Sequence, residues 1–427
     1  MIGTQNRWQD DLFVVGSLRD LIPDDYVLRR VDQVLDLDWL HDEVADCYCE
    51  DNGRPAIDPE AAVRLMLAGL LVGIVHDRKL MREAQVNLAI RWFAGYRLHE
   101  ALPDHSSLTR IRLRWGEERF RRIFQRTVQA CAAAGMVPGE TVHIDATLIR
   151  ANVSWESIAE RHAEAVIKAN PDGGVEALAR ADGKRFSTTD PDAGLATSDR
   201  RVRAEPSYKQ HTAVDDLAGI VVDVIVTAGD VNEGDLIGLQ IDHVGEVTGH
   251  TPTTLTADAG YAYAKVFRAA EDRGIHAVIP PKAEPKPRTA IPLRRFKYDA
   301  RHQIVRCPQG KTLRRSTRAP HGWYYRSSFH TCRDCKLRSI CLSPAVDRRT
   351  VVIADGFDAL LRARRHRERW SHAERAVYKR HRWRIEGSHA HAKRQHGLGR
   401  AIRRRRWNMA VQAYLVAAAM NLKRLAA

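Results

Sequence analysis

Apolar residues recur at helical spacing through the first third of the chain. After Asp58-Pro59, the residues Ala62, Leu65, Met66, Gly69, Leu70 and Gly73 fall on one helix face. The aspartate can cap free N–H groups, and proline loses no hydrogen bond at the first helical position. The same spacing predicts a second helix over residues 78–93. A third starts at Ser106 or Ser107 and carries Arg110, Arg112, Arg114, Arg119, Arg121 and Arg122 after a Pro103-Asp104-His105 turn. Residues 1–135 therefore read as a helical domain.

From about residue 140 the period shortens to two. Residues 141–144 form a β-prone run ending at Asp145, and 208–214 with 220–227 form a hairpin around Asp215-Asp216-Leu217-Ala218-Gly219. A helix over 234–244 follows. Next come a strand over 253–257 ending at Asp258, a helix over 262–273 closed by Gly274, and a strand over 277–279 stopped by Pro280-Pro281. Strand, hairpin, helix, strand, helix, strand is the order of an α/β mixed sheet with helical crossovers. The Gly/Asp/Ser-rich stretch 170–205 reads as a loop. Residues 281–350 are rich in proline, basic residues and cysteine. Helices are expected over 360–393 and 407–425, the last with an apolar stripe of Val411, Tyr414, Leu415, Ala418 and Leu422 that packs on the core. The division is thus 1–135, 136–280, 281–350 and 351–427.

Composition adds a partner class. The 427 residues carry a formal charge of +15, clustered at 288–297, 362–369, 381–384 and 403–406. That favours a polyanion, DNA or RNA first, over a merely soluble basic enzyme. The polar, acidic start shows no signal peptide. The longest apolar run, 65–75, is too short for a bilayer, so no membrane partner and a cytoplasmic setting are expected. Seven cysteines, four of them close together, suit a metal knuckle better than a secreted disulfide scaffold. Cys307, Cys332, Cys335 and Cys341 are candidate structural zinc ligands, with an iron–sulfur cluster or four reduced thiols as alternatives.

Three carboxylates carry the candidate chemistry. Asp145 and Asp258 each close a β-prone run, and sites in open α/β sheets form beyond the carboxyl ends of strands. Glu386 follows Arg382 by four residues and precedes Lys393 by seven, which places all three on one helix face. Oxygen ligands suit Mg²⁺ or Mn²⁺. Two such ions about 3.5–4 Å apart would clamp the attacking and leaving oxygens of a phosphodiester displacement. Taken singly, each aspartate also reads as a cap or surface ion pair, and the Arg–Glu–Lys face as a solvated ladder.

Together these residues resemble the DDE triad of bacterial insertion-sequence transposases. Arg382, Glu386 and Lys393 match the spacing of that family's Tyr–Arg–Glu–Lys signature, while its tyrosine would fall at Lys379 and here stands one residue earlier, at Tyr378. Gly397-Leu398-Gly399-Arg400, Asn421-Leu422, residues 78–87 and residues 103–108 also resemble the family. The resemblance implies an RNase H-like core with a helical N-terminal domain and a small cysteine-rich insertion before the glutamate. It implies two divalent ions, Mg²⁺ or Mn²⁺, held by Asp145, Asp258 and Glu386, and DNA cleavage with strand transfer at terminal inverted repeats. Arg382 and Lys393 would contact phosphates of double-stranded transposon ends and target DNA. Joining two ends implies a homodimer on DNA in the bacterial nucleoid. The other readings are a transposase-derived DNA-binding protein without cleavage and a metal-dependent endonuclease without strand transfer.

Further candidates are softer. Arg110 and Arg114 suit either a helix-turn-helix reading a major groove or a solvated bundle face. Trp323, in Trp323-Tyr324-Tyr325, suits stacking on an extruded base or packing within a strand. His381, His389, His391 and His396 lack ligand spacing and read as phosphate or solvent contacts.

Overall fold

The computed structural model describes residues 16–49, 56–153, 158–160, 185–197, 203–282 and 291–427. Much of the loop expected over 170–205, and the first three residues of the basic run at 288–297, lie outside them.

The N-terminal segment is helical: α1 (Val27–Asp32), α2 (Leu40–Val44), α3 (Pro59–Leu71), α4 (Asp77–Val86), α5 (Leu88–Phe93) and α6 (His105–Ala133). Asp58 caps α3, accepting from the Ala61 N–H at 2.9 Å. The single helix expected over 78–93 is two, because the Asn87 side chain accepts from the Ile90 N–H and starts a new one. The third helix is capped by Asp104, whose Oδ1 accepts from the Ser106 N–H at 2.8 Å. It kinks at Gly116, whose φ of 71° only glycine adopts without strain.

The core sheet contains β1 (Thr141–Arg150), β4 (Gly194–Ala196), β5 (Glu205–Asp215), β6 (Val221–Ala228), β7 (Thr254–Thr256) and β8 (His276–Val278). A separate two-stranded ribbon pairs β2 (Ile158–Glu160) with β3 (Arg185–Ser187). Between β6 and β8 run the helices α7 (Ile237–Thr248) and α8 (Ala264–Asp272). The hairpin β5–β6 lies antiparallel to β1, and β7 and β8 lie parallel to it on the other side. Three antiparallel strands followed by two parallel ones form an RNase H-like sheet.

A second, antiparallel sheet holds β9 (Lys297–Asp299), β10 (Ile304–Arg306), β11 (Thr312–Ala319), β12 (Gly322–Arg326) and β13 (Thr350–Ala354), with α9 (Phe329–Arg333) and α10 (Arg338–Cys341) between the last two. Because β13 pairs along β12, this sheet runs to Ala354, beyond the composition boundary at 350.

The chain then enters α11 (Phe357–Arg367), α12 (His372–His381), a π-helical turn (Arg382–Glu386), α13 (Gly387–Gln395) and α14 (Arg406–Leu425). The helix expected over 360–393 is broken by a capping box between Ser371 and Glu374. The stripe on α14 is one face of a helix buried on every side from Met409 to Leu422. It runs between α6 and α3 and the face of β6, so alanines fill the positions a surface helix would give to charges. Asn421 locks it there. Its amide accepts from the Val221 N–H at 2.9 Å and donates to the Val221 carbonyl at 2.8 Å.

A buried ion cluster joins the N-terminal helices to this C-terminal segment. Asp77 pairs bidentately with Arg112 at 2.8 and 3.0 Å and also with Arg403. Burial opposes its charge, yet the two guanidiniums hold its carboxyl below the usual range. Asp77→Ala should destabilise the protein by about 3–5 kcal/mol, the usual cost of leaving a buried charge unpaired. Thermal melts of the variant would show this loss at neutral pH. It should shrink under acid, because a depressed carboxyl gives its stability above its unfolded pKa and loses it as pH falls.

Candidate functional site

Parallel pairing of β1 with β7 sets the site. The matched pairs are Thr141 with Thr254, Val142 with Leu255 and His143 with Thr256. Two residues beyond the last pair stand Asp145 and Asp258, so the register carries them past the end of the ladder side by side. Asp145 is not at the end of its strand, as the apolar run suggested. It is mid-strand, because β1 continues to Arg150 along β5 after β7 has stopped. Asp258 caps the short turn Ala259–Tyr261, accepting from the Gly260 N–H at 2.7 Å.

The last row of that ladder also holds the C-terminal helices. His143 Nδ1 lies 2.6 Å from Thr256 Oγ1, which lies 2.8 Å from His381 Nδ1. His143 Nε2 is 3.0 Å from Asp216, which also takes three hydrogen bonds from Arg380. Burial pushes both histidines down, His381 to about 3, so both are neutral. One arrangement satisfies the row. His143 donates to Asp216, Thr256 donates to His143, and His381 donates to Thr256. His381, His389 and His396 are therefore interior groups and not phosphate or solvent contacts. His389 bonds Thr212 at 3.1 Å and lies 3.8 Å from Asp145, while His396 bonds the Leu70 carbonyl at 2.8 Å. The reason is helix phase: α12 turns His381, and α13 turns His389, to the sheet.

The π turn immediately after His381 carries Arg382 and Glu386. Their ion pair, 3.2 Å, is largely exposed. A π turn takes about one residue more than an α turn. It thereby absorbs the extra residue between Tyr378 and Glu386 and keeps them on one side of the rod. Tyr378 packs between Trp370 and His381, and its hydroxyl is pushed up by burial and by the nearby charges of Asp258, Glu386 and Asp145.

A groove of about 580 Å³ is lined by Asp145, Asp258, Lys393, Glu233, Lys209 and Arg150, among others. The Asp145 carboxyl is pushed up to about 7, first by burial, then by the charges of Asp258, Glu233 and Glu386. Lys393 is half-buried and lowered by burial, with the charge of Asp145 opposing the shift. The residue reading overlooked Glu233, which pairs with Lys209 at 3.4 Å. It follows β6 in a Gly-Asp-Val-Asn-Glu turn, so its signal was the same acid-after-strand pattern that marked Asp258. Tyr261 was also overlooked. Its hydroxyl is buried, without a hydrogen-bond partner, and in the field of Asp145, Glu233 and Asp258.

These observations fit a hard divalent cation. The donors are carboxylate oxygens, burial and then mutual repulsion raise one of them to about 7, and a phenol nearby is unsatisfied.

Comparisons with known proteins give the family. A family described as a transposase domain of unknown function matches residues 16–114, and the transposase DDE domain matches residues 178–422. The second match spans more than half of the chain. The chain belongs to the DDE transposase family. The transposase match begins after Asp145, so that residue is placed by the β1–β7 register alone. Among solved structures, the cryo-EM structure of the piggyBac transposase synaptic complex with hairpin DNA is similar at 10% identity, covering 93% of this chain and 73% of that one, with a TM-score of 0.34. No curated protein matches the transposase chain. Members of the family generally use divalent metal ions and act on DNA. Among the described residues no helix is long and apolar enough to cross a membrane.

Other candidates fall outside the groove. Arg110 is exposed and bonds Ser106 at 2.8 Å, and Arg114 covers the Tyr48 ring. Arg112, Arg119 and Arg122 pair with Asp77, Asp46 and Glu43, so much of the α6 charge is neutralised internally. Trp323 is covered by Arg315, 3.3 Å above its ring, and flanked by Arg318 at 5.2 Å. Cys307, Cys332, Cys335 and Cys341 are free thiols near enough for their charges to raise the pKa of Cys341, after burial. They are not among the described side chains whose ligand atoms converge within 4.8 Å in threes.

A raised carboxyl costs stability above its unfolded pKa, so the metal-free protein should lose stability as pH climbs from about 4 to 7. Asp145→Asn should therefore melt several degrees higher than wild type at pH 7.5 without metal. Adding Mn²⁺ should stabilise wild type and leave the variant unmoved. Equal melting temperatures without metal would show that the Asp145 carboxyl is not raised.

Proposed function

We propose that the chain catalyses metal-dependent DNA cleavage and strand transfer of an insertion sequence at its terminal inverted repeats. What supports this reading is the register that sets Asp145 and Asp258 side by side beyond a parallel strand pair, with Glu386 near enough for its charge to raise Asp145 although it does not line the groove. In this reading Asp145, Asp258 and Glu386 hold two Mg²⁺ or Mn²⁺ ions, and Glu233 adds negative charge beside them. When bound, such ions activate the attacking oxygen and stabilise the leaving one. The protein's own groups do the rest. Lys393, lining the groove, holds the phosphate beside the scissile bond as a point charge. Arg382 is exposed and loses its carboxylate partner once Glu386 turns to the metal, which frees a bidentate donor for a second phosphate. Tyr378 stands behind Glu386 and fixes its approach.

The helical segment to residue 135, with Arg110 and Arg114 exposed, is proposed to contact the transposon ends. Residues 136–280 and the chain after Ala354 make the two parts of the core around the insertion. Trp323 is proposed to stack on a base freed during cleavage, which requires Arg315 to swing off its ring. The four insertion cysteines are proposed to draw together on Zn²⁺. A homodimer on DNA, one copy per transposon end, follows from the need to join two ends to one target, and the work is done at the bacterial nucleoid.

Glu386→Gln keeps the side chain's size and removes its charge. Cleavage of an inverted-repeat duplex with Mg²⁺ should fall by more than the roughly 10–100-fold that an outer metal partner costs. Gel-shift affinity should stay within a factor of a few. Full cleavage by this variant would move the third ligand elsewhere. Affinity for the same duplex should drop steeply between 50 and 200 mM salt, by about 10³-fold if some six phosphates are contacted. A Lys393→Ala variant should show a slope shallower by about one counterion.

A further inference from the structure

Away from the acid groove, three side chains converge where the small sheet leaves and rejoins the core. His276 begins β8, the last core strand before the departure. His366 is in the last turn of α11, the first helix after the return, and Glu374 is in the first turn of α12. His276 Nε2 lies 2.8 Å from Glu374 Oε1, and His366 Nε2 lies 2.5 Å from the same oxygen. The two imidazoles meet edge to face with centroids 5.2 Å apart. The ligand atoms of all three residues lie within 4.8 Å of one another, which holds for no other His, Cys, Asp or Glu trio among the described residues.

The carboxylate is the fixed part. Its other oxygen accepts from the Ser371 N–H at 2.7 Å, and its side chain is only 15% exposed. The histidines are open to solvent, 46% and 44% exposed, so an ion can enter from outside. Two hydrogen bonds from two rings to a single oxygen also leave a point equidistant from three donors, where one cation can replace both protons.

We propose that His276, His366 and Glu374 form a Zn²⁺ site that staples β8 to α11 and α12. Two imidazole nitrogens and one carboxylate oxygen suit a borderline ion and discriminate against Mg²⁺, which prefers an all-oxygen shell. The fourth position faces solvent and takes water. On binding, each ring carries its proton on Nδ1, leaving Nε2 for the metal. The Ser371 N–H orients the carboxylate as an outer partner. The staple acts on position and not on the reaction. It ties the strand before the insertion to the helix that leads through the π turn to Glu386, so the insertion cannot shift the base of that helix.

The test is a zinc titration of full-length, metal-stripped protein in saturating Mg²⁺, by calorimetry and thermal melting. It compares wild type, His276→Gln/His366→Gln and Cys332→Ser/Cys335→Ser. Glutamine keeps an N–H donor toward Glu374, and matched far-UV spectra and metal-free melting would show an intact fold. Wild type should bind one equivalent more than the glutamine variant, and its zinc-induced rise in Tm should shrink there. That equivalent should persist in the serine variant. Co²⁺ bound to wild type gives an independent reading: the site should add visible bands that are present in the serine variant, without thiolate charge transfer. Unchanged zinc stoichiometry in the glutamine variant would overturn the site. So would loss of every equivalent in the serine variant, or Co²⁺ bands there identical to those of free Co²⁺.

Discussion

One row of polar side chains inside the sheet holds the rest in place. Asp216, His143, Thr256 and His381 form a continuous chain of hydrogen bonds across β1, β7 and α12. Its middle members are the last residues paired between the two parallel strands. Removing the threonine hydroxyl would leave the facing Nδ1 atoms of two buried imidazoles without a partner. That costs more than the bond itself contributes, because a desolvated donor or acceptor keeps its full penalty. The row thus fixes two things at once. It sets the register that sends Asp145 and Asp258 past the ladder, and it sets the distance of the helix that carries Glu386. Arg380 and Arg384 close it from outside by covering Asp216.

Much of the fold was legible because the local signals were strong. Asp58-Pro59, the β5–β6 hairpin and the strand ending at Asp258 each rest on nearest-neighbour chemistry, and the α/β class followed from their order. The transposase resemblance was legible from residues 382–393 and agrees with the family match. The departures have a shared cause, which is tertiary contact replacing solvent. Strand β1 runs on past Asp145 because β5 pairs with it from the far end of the chain segment. Arginines of α6 that looked like a DNA-facing stripe instead neutralise Asp77, Asp46 and Glu43, none of which is nearby in sequence. The histidines around Glu386 looked solvated on a basic helix. A single wide turn changes the helix phase there, and no spacing rule reports it. Glu233 was hidden for the opposite reason. It carries the same acid-after-strand signal as Asp258, but in an ordinary turn, and the sheet is what shows that it opens into the groove.

Among the described residues two groups of positive charge stand apart. One is structural: Arg112, Arg119, Arg273, Arg362 and Arg380 each grip a carboxylate and tie separate elements together. The other lies at the groove and on the helix leading from it, where Arg382 pairs with Glu386 and Lys393 lies in the field of Asp145. Net charge alone cannot separate these populations, which is why the +15 of the sequence names a partner class and not a binding face.

The placement of α14 has a consequence for the life of the nascent chain. The sheet face around β6 is covered when α14 docks, and Asn421 supplies the two hydrogen bonds that seat it on Val221. The two aspartates are synthesised long before Glu386, with the whole insertion between. While the ribosome is still at work, the chain holds two acids on an uncovered sheet and lacks the third. Such an order leaves the proposed acid site unassembled until the helices that follow the insertion have been made and docked.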